Sequence, residues 1–193
     1  MDDTTSESFE RQTAALYQAV GRFAVEFEHV CFAMRHIAMN LLHAQGLKNS
    51  KVLNIIFAEL TAEPLRSLTA ALIAETCQLS SQDEKIVSKV LADVQTLTRD
   101  RNDVLHSTWF IGWYGTETGD FGQAPGIKPK RSKKGDASLD RTWRIDEFDV
   151  LTKRATSLSD HLRRINACLA GGFKRNFHFN SAGVLIAEGQ PYK

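Results

Sequence analysis

An unbroken apolar repeat near the start of the chain restricts its fold more than any other feature. Leu16, Val20, Phe23, Phe27, Val30, Met34, Ile37 and Leu41 follow one another in alternating steps of four and three. Side chains return to one side of an α-helix at that period, so these residues demand one long helix with a buried stripe, ending near Gly46. A second row, Tyr17, Ala24, Cys31 and Ala38, widens the stripe. A helix with so broad an apolar face belongs inside a bundle or against a second subunit.

Further helices follow from their own signals. "NSKVLNIIFAEL" predicts a short one, and Thr61 is expected to cap another through "AEPLRSLTAALIAETC", with Pro64 in the first turn, where its missing donor matters least. Ser81 and Glu84 read as a capping box opening a helix that carries Val87, Val90, Val94 and Leu97. Asp146 is expected to cap a last helix with Phe148, Leu151, Ala155, Leu158, Leu162, Ile165 and Leu169 on one side, stopped by Gly171 and Gly172. The pattern predicts an all-α fold, an antiparallel bundle of four to five helices in a single domain over residues 1–193. Two segments depart from it. The aromatic "STWFIGWYG" is expected to pair with "RTWRI" as a small hairpin-like insertion, with residues 115–141 between them a flexible basic excursion rich in Gly, Pro, Lys and Ser. Residues 173–193 lose the helical period and form a non-helical tail, extended or ordered by docking.

Composition narrows the function. A net charge of +1 gives no whole-molecule attraction to polyanions, so any nucleic-acid contact needs a local patch. Cys31, Cys77 and Cys168 are scattered, with no Cys-x-x-Cys pair for a metal or a redox couple, and read as buried thiols in a reducing compartment. The polar start "MDDTTSESFER" and the lack of a bilayer-length apolar run predict a cytoplasmic protein without a membrane partner. His29, His36 and His43 recur every seven residues, which spaces them about 10 Å apart along a helix, too far to share one metal. No cofactor is expected.

One stretch breaks the pattern: "TLTRDRNDVLHSTWF", residues 96–110, places five polar or charged residues in succession, Arg99, Asp100, Arg101, Asn102 and Asp103, on a helix that is otherwise burying a face. Arg101 takes a position the stripe of Val94, Leu97, Val104 and Leu105 reserves for an apolar side chain. A guanidinium there requires a carboxylate, a wet cleft or a second subunit beside it. Arg99, Asn102 and His106 share the adjoining flank, with Asn102 and His106 one turn apart and within hydrogen-bonding reach. An imidazole near its neutral-pH titration can shuttle protons, and a guanidinium can hold a phosphate and stabilise developing negative charge. That pair suits metal-free RNA transesterification, in which the ribose 2′-hydroxyl is the nucleophile. Arg101 and His106 are about 140° apart on an ideal helix, so either the helix loosens at its end or a second copy completes the site across a twofold axis; the twofold arrangement is preferred because it doubles the groups in the groove.

"Arg101-Asn102-Asp103-Val104-Leu105-His106" resembles the arginine, polar residue, three residues, histidine motif of the HEPN families. The resemblance implies an all-α HEPN-like domain, a homodimer with both motifs facing a shared cleft, and metal-independent endoribonuclease activity of the kind found in toxin–antitoxin and antiviral systems, with a cognate antitoxin or regulatory protein as partner. By the same resemblance Arg101 and His106 are the catalytic pair, Asn102 orients the histidine, and Arg99, which fits a longer-spaced form of the motif, assists. Some members resemble binding or partner modules and do not cut. The competing reading of Arg101 is a snorkelled or ion-paired core arginine meeting Glu26 or Glu28, and of His106 a cation favoured by the helix C-terminus. Outside the motif, "KPKRSKK", with Lys128, Lys130, Arg131, Lys133 and Lys134, is a candidate RNA-backbone contact, and Trp109, Trp113 and Trp143 are candidates for base stacking or for the core. "FKRNFHFN" in the tail offers a similar mixture, or an arm that clasps a partner.

Overall fold

A computed structural model describes residues 3–113, 119–133, 135–171, 173 and 176–188. The protein is predominantly helical with a small strand component. The helices are α1 (Asp3–Ala44), α2 (Ser50–Phe57), α3 (Ala62–Thr76), α4 (Ser81–Leu105) and α5 (Ile145–Gly171). The strands are β1 (Thr108–Trp109), β2 (Gln123–Lys128), β3 (Arg131–Ser132), β4 (Gly135–Asp136), β5 (Leu139–Arg144), β6 (Phe177–Phe179) and β7 (Leu185–Ala187).

The repeat that opened the sequence is largely buried in α1: Leu16, Phe23, Phe27, Val30, Met34, Ile37 and Leu41 are buried and Val20 is half-buried. The helix starts well before Leu16, and Gly46, at φ +97, follows its end in a conformation that suits a residue without Cβ. The widened stripe is corrected at one point. Cys31 and Ala38 are buried, but Tyr17 stands 64% exposed. Two helix starts also shift. Ser80, not Ser81, reciprocates with Asp83: the Asp83 amide donates to Ser80 Oγ at 3.2 Å while Ser80 donates its hydroxyl to Asp83 Oδ2 at 2.7 Å. At α5 the expected cap Asp146 lies already inside the first turn, and Glu147 Oε2 instead accepts from the Arg144 amide at 2.9 Å. Thr61 does occupy the N-cap of α3, without a side-chain capping bond.

The chain gathers into two compact units, residues 1–27 with 99–154 and residues 28–98 with 155–193. The second unit is helical apart from the tail. Its apolar core includes Met34, Ile37, Leu53, Phe57, Leu65, Ile73, Val90, Val94, Leu97, Leu158, Leu162 and Ile165. Thr69, fully buried, returns its hydroxyl to the Leu65 carbonyl at 2.8 Å, so a polar group is accommodated at little cost. In the tail β6 and β7 pair antiparallel; Phe173 and Phe177 are buried, and the Phe177 ring meets His161 edge-on at 5.9 Å. Buried Arg164 donates to the Glu188 carbonyl, which ties the hairpin to α5.

The first unit holds the sheet. Its order is β1-β2-β5, antiparallel throughout. The expected direct pairing of "STWFIGWYG" with "RTWRI" is therefore corrected: β1 and β5 share a sheet, but β2, drawn from the segment read as a flexible excursion, runs between them. The reason is packing. Trp109 lies across β2 at Gly126, where an added Cβ would meet the indole at 3.2 Å, and the ring edges against Trp143 and Phe148 at 6.2 and 5.6 Å. Trp143 and Phe148 stack at 5.4 Å. Gln12 of α1 fixes the approach to β2 by accepting from the Phe121 amide at 2.8 Å.

Candidate functional site

The charged turn of α4 is built largely from pairs within its own unit. Asp100 accepts from Arg154 of α5 at 2.7 Å. Asp103 accepts from Lys128 at the end of β2 at 2.8 Å and lies 3.6 Å from Lys130 Nζ. Lys128 also donates to the Asn102 carbonyl at 2.9 Å, so one ammonium satisfies a terminal helix carbonyl and a carboxylate together. Burial pushes the Asp103 carboxyl up, but the Lys128 hydrogen bond and the charges of Lys128 and Lys130 outweigh it and hold the group below its ordinary value. The indole N–H of Trp109 donates to the Val104 carbonyl at 2.9 Å and so joins β1 to the same helix end.

The motif residues sit among these braces. Arg101 is half-buried, its guanidinium 5.4 Å from the centroid of the Phe27 ring, and it donates to Asn102 Oδ1 at 3.3 Å. The Asn102 amide oxygen therefore serves the arginine, and the expected hydrogen bond from Asn102 to the His106 ring is not formed. His106 lies one residue past the end of α4, exposed. The helical bonding loosens there: the His106 amide reaches the Asn102 carbonyl at 3.3 Å, and the Ser107 amide shifts to a three-residue span, meeting Val104 at 3.4 Å. Arg99 is exposed.

The basic segment divides. Lys128 is only 17% exposed and is committed to the end of α4 through Asp103 and the Asn102 carbonyl. Lys130, Arg131 and Lys133 are exposed, and Lys134 lies outside the described residues. Of the tryptophans, Trp143 is buried and Trp113 is 73% exposed beside Phe110. Among the described residues no group of three or more His, Cys, Asp or Glu is placed to hold a metal ion, and no helix is long and apolar enough to cross a membrane.

A second polar arrangement in this unit escaped the sequence reading. A groove of about 280 Å³ is lined by Asp100, Arg154, Trp143, Glu147, Val150 and Arg141. The Arg141 guanidinium lies 3.7 Å from the Trp143 ring centroid and pairs with Glu147 at 2.5 Å. The signal was present in "DRTWR": residues two apart on a strand share a face, so Arg141 and Trp143 had to be neighbours once β5 was a strand. Comparison with protein-family models, with curated proteins and with solved structures finds no match to this chain.

Proposed function

We propose that the protein is a metal-independent endoribonuclease of HEPN type, a helical-bundle domain that acts as a homodimer. The observation that supports this reading is the placement of His106: an exposed imidazole just beyond α4, one turn after an Arg101–Asn102 pair joined by its own hydrogen bond. In the proposed reaction an imidazole accepts the ribose 2′-hydroxyl proton as the 2′-oxygen bonds to phosphorus. The bond from phosphorus to the 5′-oxygen breaks, and that oxygen takes a proton from the second imidazole, supplied by the other copy. The products are a 2′,3′-cyclic phosphate and a 5′-hydroxyl. Arg101 neutralises charge on the phosphoryl oxygens, and Asn102 holds the guanidinium in place, which replaces the histidine-orienting role its position suggested. Lys130, Arg131 and Lys133 lie close in sequence and carry the flanking backbone. A toxin or antiviral role, with an antitoxin or regulatory protein as partner, fits such an activity.

A binding-only module is the second reading. The seat of Arg101 over the Phe27 ring, bonded to its neighbour, is a posture that also suits a structural arginine. Incubation with single-stranded RNA in EDTA separates the two. The nuclease reading expects products ending in 2′,3′-cyclic phosphate, with a fall of about 10²- to 10⁴-fold in both Arg101→Ala and His106→Ala at unchanged circular dichroism. Equal rates in the variants and the parent overturn it.

A further inference from the structure

The groove beside the motif has a composition that selects its ligand. Two guanidiniums, Arg141 and Arg154, and two carboxylates, Asp100 and Glu147, leave it with no net charge, so it offers no general attraction to a polyanion or an acidic peptide. What it does offer is a flat surface. The Arg141 guanidinium lies over the indole of Trp143, its carbon 3.7 Å from the ring centroid, while the side chain stays 48% exposed and so keeps surface available on the side away from the indole. Trp143 itself, 3% exposed, cannot be reached. Both Glu147 oxygens are engaged, Oε1 by Arg141 and Oε2 by the Arg144 amide. Asp100 accepts from Arg154 through Oδ2, which leaves Oδ1 as an acceptor on a residue that lines the same groove as Arg141.

We propose that this groove binds one nucleobase of single-stranded RNA, stacked on the outer face of Arg141, with an amino or imino edge of the base donating to Asp100. Bases stack on arginine planes as they do on aromatic rings, and the volume suits a single base. Arg154, paired with Asp100 at 2.7 Å on the groove wall, is placed for an adjoining phosphate. The proposal rests on RNA as the ligand class given above, but not on cleavage.

The test is binding of a fluorescently labelled eight-nucleotide RNA by anisotropy, in EDTA and in a His106→Ala background so that the probe stays intact. An abasic oligomer of equal length and charge is expected to bind about tenfold more weakly than the RNA. Arg141→Ala is expected to lose that same factor for the RNA and nothing for the abasic strand. Arg141→Lys keeps the charge, protects the fold and removes the plane; it is expected to behave as the alanine variant does. Equal affinity for RNA and abasic strand overturns the proposal, as does full retention in Arg141→Lys or equally tight binding of an octaglutamate peptide. Failure of the nuclease reading shows separately, as no cleavage of the same RNA by the parent protein, and leaves the anisotropy comparison readable.

Discussion

Two stretches of the same helix are held by different means. From Ile86 to Leu97, α4 buries Ile86, Val87, Val90, Leu91, Val94 and Leu97, an apolar row with helical spacing. From Arg99 to Leu105 only Val104 is fully buried, and the helix is fixed instead by Arg154 on Asp100, Lys128 on Asp103 and Trp109 on the Val104 carbonyl. The first kind of attachment tolerates any apolar side chain of similar volume; the second names its partners. A helix end that is pinned by specific polar contacts can present Arg101 and His106 in one geometry, which an apolar stripe alone would not ensure.

The sharpest way to break this comparison is to truncate one aromatic in each unit. Phe148→Ala, in the aromatic cluster of the sheet, and Phe57→Ala, in the helical unit, both remove a side chain with no exposure and are each expected to cost about 3–5 kcal/mol in urea denaturation. A loss below about 1 kcal/mol for Phe148→Ala would show that the sheet does not depend on its aromatic packing.

Lys128→Met keeps the apolar stem and removes two hydrogen bonds at the end of α4. The expected cost is about 1–2 kcal/mol by denaturation, where an ordinary surface lysine would cost almost nothing. Its partner gives the pH signature. Because the Asp103 carboxyl is held below its ordinary value when folded, its contribution is complete above about pH 4 and is lost as pH falls through the depressed folded value. The stability gap between the parent and Asp103→Asn should therefore close on acidification.

In the helical unit the titrating group is His161. Burial first, and then the Arg164 charge, push its pKa down, against smaller opposing effects of Asp160 and Asp93. The folded state favours the neutral ring, so this contribution is present above about pH 6.5 and is lost as pH falls from there. Stability of His161→Gln should fall less steeply than that of the parent across the same range. The smallest effect is expected at Asp100: Arg154→Ala breaks a half-exposed pair worth about 0.2–1 kcal/mol, best read as a melting-temperature shift in low salt that shrinks in high salt.

Legibility in the sequence follows the same division. The rows of α1, α4 and α5 could be read because burial repeats at the helical period. β2 could not, because "QAPGIK" contains Pro125 and Gly126, residues that normally argue against a strand. Here the glycine makes room for Trp109, and the Pro125 carbonyl accepts from the Phe110 amide at 3.1 Å, partners invisible without the fold. The cap of α4 slipped by one residue because "SSQDE" satisfies the capping spacing twice, as Ser80 with Asp83 and as Ser81 with Glu84. At the motif, the residue types and their spacing could be read. The use of Asn102 by Arg101 depended on side-chain direction in the last turns of α4, which spacing does not encode.

The sheet-bearing unit joins residues 1–27 to residues 99–154, so a stretch made early has its partners about a hundred residues further along the chain. At ordinary rates of synthesis the opening turns of α1, Gln12 among them, wait on the order of ten seconds for Phe121 and Trp143 to emerge. During that interval Phe9 lacks the Phe121 ring and Phe27 the Arg101 guanidinium that meet them in the folded unit, while the stretch between, residues 28–98, has already been made. A nascent chain stalled before residue 99 should therefore engage holding chaperones through its N-terminal stripe, and release them only after β5 and α5 arrive.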